Sequence, residues 1–261
     1  MKSLLILVAV AFNVVEFALS SSSNVTFITK QTDSRIVGGY PIPIERAPWI
    51  VQLNYRNNYI CAGSIISSTK ILSAAHCTTL HNANLFTVRA GTTLYNEGGQ
   101  VRSVWKTIEH PEYSRNNVAN DISILFLEAP LQLSSRIAII DINENPSVLS
   151  HGTEVTSSGW GLLCENCSSP SKNLQEVKLP TVDNEQCRQI YKENANILPS
   201  MFCCGLKSGG KDACKGDSGG PITLGNSLVG IVSFGMGCAR PNVPGVYTRV
   251  SYFSNWIKTY L

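Results

Sequence analysis

The chain has 261 residues, 43% of them hydrophobic and 15% charged, with a net charge of +3 at pH 7. These values allow a large buried core and exclude a disordered chain. The charge is mild and no run of Lys or Arg forms a basic stripe, so nucleic acid is excluded as an implied partner.

Met1 and Lys2 open the chain and an apolar stretch follows from Leu4 to about Leu19, with Ala18-Leu19-Ser20 as a cleavage site. Residues 1–20 therefore read as a secretory signal peptide. Asn13 and Glu16 interrupt the apolar run and argue against a membrane anchor. No later segment is long and apolar enough to cross a bilayer, so the released chain is expected to be soluble and extracellular. Residues 21–35 are polar and contain the sequon Asn24-Val25-Thr26. The composition changes at Ile36-Val37-Gly38-Gly39. Beyond it, short β-type runs alternate with Gly, Asn, Pro and Ser: Leu85 to Arg89, Asp121 to Leu127, Leu228 to Val232 and Gly245 to Val250. Many strands with regular turns predict an all-β barrel or sandwich. From Tyr252 to Leu261, Phe253, Trp256, Ile257 and Tyr260 recur at three- and four-residue steps, which predicts a helix packed by that stripe.

The nine cysteines fit an oxidising, extracytoplasmic setting. Only Cys164-Glu165-Asn166-Cys167 has the CxxC form. No His lies near it to complete a metal site, and its Ser/Pro/Asn-rich surroundings are unlike a redox motif. Asn166-Cys167-Ser168 is formally a second sequon.

Three local patterns carry chemistry. Ser73-Ala74-Ala75-His76-Cys77 places a histidine after an apolar strand. Asn120-Asp121-Ile122-Ser123 places an acid at the start of a buried-looking one. Gly216-Asp217-Ser218-Gly219-Gly220-Pro221 places a serine in a tight turn, its flanking glycines leaving backbone and hydroxyl open to a substrate.

With these motifs in this order, residues 36–261 resemble the trypsin branch of the chymotrypsin-like serine proteases. The resemblance implies two packed six-stranded antiparallel β-barrels with a C-terminal helix and the active site between the barrels. It implies a secreted endopeptidase acting on proteins or peptides through a triad. His76 would take the proton of Ser218, Asp121 would hold the imidazole, and the N–H groups of Gly216 and Ser218 would form the oxyanion hole. Asp212, six residues before the serine, stands where trypsin-like members carry the acid that pairs with Arg or Lys. Gly235 and Gly245 match the glycines of the pocket walls. Ala213 replaces a common Ser, which favours Arg over Lys. Phe234 replaces the usual Trp between Ser233 and Gly235, a strand that pairs with substrate backbone. Lys215 would favour acidic residues near the cut bond. Cleavage after Arg35 would free the Ile36 amine to pair with Asp217, so that residues 21–35 act as an activation propeptide.

The resemblance also implies the pairs Cys61–Cys77, Cys187–Cys203 and Cys214–Cys238. Cys164–Cys167 is a candidate extra bridge, while Cys204 could pair with either of its members. With only Glu97 as an acid, the loop Leu94 to Gln100 is expected to bind no calcium. No cofactor, metal or membrane is implied, and the protein is expected to be a monomer open to protein inhibitors of proteases. The competing class is a catalytically silent homologue acting as a binding protein. The intact His76, Asp121, Ser218, Gly216 and Asp212 argue against it.

Overall fold

The computed structural model describes residues 36–261. The signal segment, residues 21–35 with Arg35, and the Asn24 sequon lie outside the described residues. In chain order the elements are β1 (Tyr40–Pro41), β2 (Ile50–Tyr55), β3 (Asn58–Ser67), β4 (Lys70–Ser73), the short helix α1 (Ala75–Thr78), β5 (Phe86–Ala90), β6 (Gln100–Glu109), β7 (Ser123–Leu127), β8 (Asp141–Ile142), β9 (Glu154–Gly159), β10 (Gln175–Val182), α2 (Asn184–Tyr191), β11 (Met201–Cys204), β12 (Pro221–Leu224), β13 (Ser227–Phe234), β14 (Gly245–Arg249) and α3 (Ser254–Lys258).

Two closed six-stranded antiparallel barrels result, as the resemblance implied. The first closes in the order β2-β3-β4-β7-β6-β5. In the second, β9-β10-β11-β14-β13-β12 closes through the β12–β9 pairing. Closure removes the unpaired edges that an open sheet would expose. In β5, Phe86, Val88 and Ala90 are buried while Thr87 and Arg89 are half-exposed, the period-two pattern of a strand with one face on the core. Leu53, Ile65, Leu72, Phe86, Val88 and Ile124 fill the first barrel, and Val155, Leu179, Phe202, Ile222 and Tyr247 the second.

Most expected runs match the strands to within a residue or two, and two differences have a visible cause. The run from Asp121 becomes a strand only at Ser123, because the Ile122 N–H turns back to Asn120 O and the Asp121 side chain is drawn away to His76. The C-terminal helix is shorter than the stripe suggested: a 3-10 turn, Val250–Phe253, leads from β14 into α3. The stripe itself packs as core, since Phe253 and Ile257 are buried and Trp256 and Tyr260 rest against the same cluster. No helix among the described residues is long and apolar enough to cross a membrane.

The bridges Cys61–Cys77, Cys187–Cys203 and Cys214–Cys238 are all formed. Cys164 bonds Cys167, which leaves Cys204 as a buried thiol.

Candidate active site

Strand register brings the histidine and the acid together. In the antiparallel β4–β7 pair, Ser73 faces Ser123. His76 lies three residues beyond Ser73 and Asp121 two residues before Ser123, so both emerge from the same end of the ladder. The Ser123 hydroxyl donates to Ala74 O at 3.0 Å and pins that end. Asp121, only 1% exposed, then accepts from the His76 backbone N–H at 2.8 Å and meets ring Nδ1 at 2.8 Å. A carboxylate partner places the ring proton on Nδ1 and leaves Nε2 as a free acceptor. The second barrel supplies two further contacts to the same residue. Ser233 Oγ donates to Asp121 Oδ2 at 2.6 Å, and Thr248 Oγ1 donates to Asp121 O at 2.8 Å.

Ser218 sits in the turn before β12, on the facing barrel. Its carbonyl accepts from Ala62 N–H of β3 at 2.8 Å, which ties the turn to the first barrel. Gly220 and Val232 N–H groups close the turn onto Asp217 O and Gly220 O, the latter bond reaching it from β13. The Ser218 hydroxyl makes no hydrogen bond among the described residues, to His76 or to any other group. His76 Nε2 instead lies 3.6 Å from Cys77 Sγ. Cys61, His76 and Cys77 bring potential ligand atoms close together, but the two sulfurs are bonded to each other and offer no thiolates to a metal.

Gly216 adopts φ +98°, a conformation costly for any side-chain-bearing residue. A Cβ there would also stand 3.1 Å from Gly161 Cα. Tyr59 donates to Gly216 O at 2.5 Å and holds the peptide in that orientation. The N–H groups of Gly216 and Ser218 have no acceptor among the described residues, so both are free to bind a ligand oxygen.

Asp212 lies in a pocket of about 250 Å³ that Ser218 also lines, together with Ala213, Ser233, Phe234, Gly235 and Gly245. The carboxylate is 4% exposed and accepts from Ala239 N–H at 3.0 Å and Tyr247 OH at 3.2 Å. Burial pushes its pKa up to about 6, against the opposing pull of those bonds. A Cβ at Gly245 would stand 2.9 Å from Asp212 Oδ1, so the absence of a side chain keeps the acid accessible. Phe234 stands edge-on to Tyr191, whose hydroxyl donates to Pro244 O behind the wall. A larger recess of about 490 Å³ lies around His151, Ile190 and Leu206, on the other side of Pro244 from Gly245, and is lined by none of His76, Asp121, Asp212 or Ser218.

Asp217 is fully buried. Its oxygens accept from Gly161 N–H at 2.8 Å and Cys214 N–H at 2.9 Å, and burial raises its pKa to about 7. Ile36 is also fully buried, in the core of the second barrel, while Val37 O accepts from Asp212 N–H at 3.1 Å.

Sequence reasoning missed four contributors: Tyr59 under the Gly216 peptide, the Ser233 hydroxyl on Asp121, Tyr247 on Asp212, and Glu165, which reaches the pocket mouth. Each acts on a partner at least 35 residues away in the chain, so no local pattern links the two. The CxxC form around Glu165 was the one available signal.

Comparison with known proteins agrees with this geometry. The family model described as Trypsin matches residues 36–257. Trypsin eta of Drosophila melanogaster is 42% identical over 240 residues, covering 88% of this chain and 90% of its own. The vitellin-degrading protease of Bombyx mori is 37% identical, covering 86% and 85%, and trypsin 5G1 of Aedes aegypti is 36% identical, covering 87% and 85%. These matches show that the chain belongs to the trypsin family and is a trypsin-like serine endopeptidase.

Proposed function

We propose that this endopeptidase is secreted as an inactive precursor and cleaves protein and peptide substrates after Arg, and less readily after Lys. The observation that carries the specificity is the buried Asp212 carboxylate in a pocket that Ser218 also lines. An unpaired buried carboxylate is costly. An arginine guanidinium pairs with it through two parallel hydrogen bonds, whereas a neutral side chain leaves it unmatched. Ala213 brings no hydroxyl to help solvate a lysine ammonium, which favours Arg. Lys215, exposed at the rim, favours acidic residues beside the cut bond.

In the proposed reaction Ser218 Oγ attacks the scissile carbonyl carbon while its proton passes to His76 Nε2. Asp121 keeps the ring in the Nδ1–H tautomer and stabilises its charged form. The carbonyl oxygen, now an oxyanion, takes the N–H groups of Gly216 and Ser218, each worth about 3–4 kcal/mol in the transition state. His76 returns the proton to the leaving amine as the C–N bond breaks. Water then repeats the steps to release the acyl group and restore Ser218. The His76–Ser218 hydrogen bond forms as substrate fills the cleft, since catalytic hydrogen bonds are often long without it.

Cleavage after Arg35 would release the Ile36 amine to pair with Asp217, beside Ser218. The four disulfides suit an oxidising compartment, which supports secretion. The enzyme works as a monomer, and protein inhibitors would occupy the same cleft.

The test is hydrolysis of peptide amides ending in Arg, Lys, Phe or Ala by protein cut after Arg35. Arg is expected to lead Lys, with Phe and Ala inert and Ser218→Ala inactive on all four. Comparable cleavage after Phe, or full activity of Ser218→Ala, would overturn the reading.

A further inference from the structure

The loop closed by Cys164–Cys167 carries Glu165 to the mouth of the Asp212 pocket. There Glu165 pairs with Arg240 through two bonds, Nη2 to Oε1 at 2.6 Å and Nε to Oε2 at 3.0 Å. Such a fork fixes orientation as well as distance. Gly237 lies directly beneath the pair, where a Cβ would stand 2.3 Å from Glu165 Oε1.

Arg240 follows Ala239, whose N–H donates to Asp212 Oδ2. Ala239 is held at φ +57°, an unfavourable conformation that surrounding contacts must maintain. Beside the bond to Asp212, further restraints meet on this segment. Cys238 is bonded to Cys214, Ala239 O accepts from Gly210 N–H at 2.9 Å, and Arg240 is gripped by Glu165. The last comes from the loop that carries Glu165, 75 residues away in the chain.

We propose that Glu165 is a positioning residue for substrate specificity. Its ion pair with Arg240 clasps the 237–240 wall, keeps the Ala239 N–H on Asp212, and holds the pocket at the width of a cationic side chain. The Cys164–Cys167 bond holds Glu165 within reach by limiting the conformations of its loop. This inference rests on the reading of Asp212 as the specificity acid.

The test measures benzamidine affinity, and kcat and KM on an Arg amide, for protein cut after Arg35. Benzamidine is a small cation that probes the pocket alone. Glu165→Gln and Arg240→Gln are each expected to weaken benzamidine and raise KM by about two- to fivefold, the range an exposed ion pair supports, with kcat unchanged. Cys164→Ser with Cys167→Ser moves both readings in the same direction. The exchanged pair Glu165→Arg with Arg240→Glu restores them. Unchanged benzamidine affinity in the single variants, a fall in kcat alone, or failure of the exchange to restore binding overturns the clasp. Asp212→Asn separates the two claims. If it keeps full Arg cleavage, the specificity reading has failed. If it loses that cleavage while Glu165→Gln changes nothing, only the clasp has failed.

Discussion

Ser233 and Asp121 stand 112 residues apart in the chain, yet the Ser233 hydroxyl donates to Asp121 Oδ2 at 2.6 Å. Ser233 belongs to β13 of the second barrel and Asp121 precedes β7 of the first. The bond therefore crosses the seam on which the site is built. It ends on the same oxygen that meets His76 Nδ1. The orientation of the imidazole thus depends on how the two barrels dock.

Removing that bond tests the dependence. Ser233→Ala is expected to lower kcat/KM on an Arg amide by about tenfold, the cost of one hydrogen bond to a charged group. Benzamidine affinity should change much less, because the Ser233 hydroxyl, although its residue lines the pocket, is directed to Asp121 and not to Asp212. Steady-state kinetics beside an inhibitor titration reads both. Unchanged kcat/KM would mean that the His76 contacts alone orient the carboxylate.

Asp212 makes binding and stability depend on pH in opposite directions. Its pKa is raised to about 6 by burial, so the acid loses its charge as pH falls through that value. KM for Arg substrates should then rise between pH 7 and pH 5. Stability moves the other way. The unfolded carboxyl ionises near 3.8, so between the two values the folded state alone holds the proton. Above about pH 6 the buried charge costs about 3 kcal/mol, and that cost vanishes below about pH 4. Asp212→Asn should therefore raise the thermal midpoint at pH 8 and have little effect at pH 4. Equal shifts at both pH values would contradict a charge-burial origin.

Asp217 is predicted to govern activation rather than folding. Asp217→Asn keeps the shape of the side chain and loses only the charge meant for the Ile36 amine. Cleavage after Arg35 should proceed normally, while activity stays at least about a hundredfold below that of the processed parent, as a lost buried ion pair implies. N-terminal sequencing together with an activity assay decides it, and near-parental activity would remove Asp217 from the switch.

Cys204 should be silent to thiol reagents in the folded protein. It is fully buried, and burial raises its pKa well above the ordinary thiol value, with the nearby Asp212 charge adding to the effect. Thiolate is the reactive form. Mass spectrometry after iodoacetamide treatment should find no adduct under native conditions and one adduct in denaturant without reductant. Two or more adducts would mean that one of the four bridges is open.

The sequence alone carried the resemblance to the family, and through it implied the two barrels, three of the bridges and the residues proposed for the triad and the pocket. Those signals are local: a serine between glycines, a histidine beside a cysteine, an acid six residues ahead of a serine. Short-range spacing preserves them whatever the rest of the chain does. The C-terminal stripe was legible for the same reason, since Phe253 and Ile257 recur at helical spacing, although the 3-10 turn before α3 left no periodic trace. Only the tertiary structure decided which cysteine stayed free, which residues hold Asp121 and Asp212 in place, and that Glu165 reaches Arg240. These contacts depend on the register of strands far apart in the chain and on the docking of two closed barrels. No pattern within a few residues encodes either, because each partner keeps an ordinary local role until folding brings the other within hydrogen-bond reach.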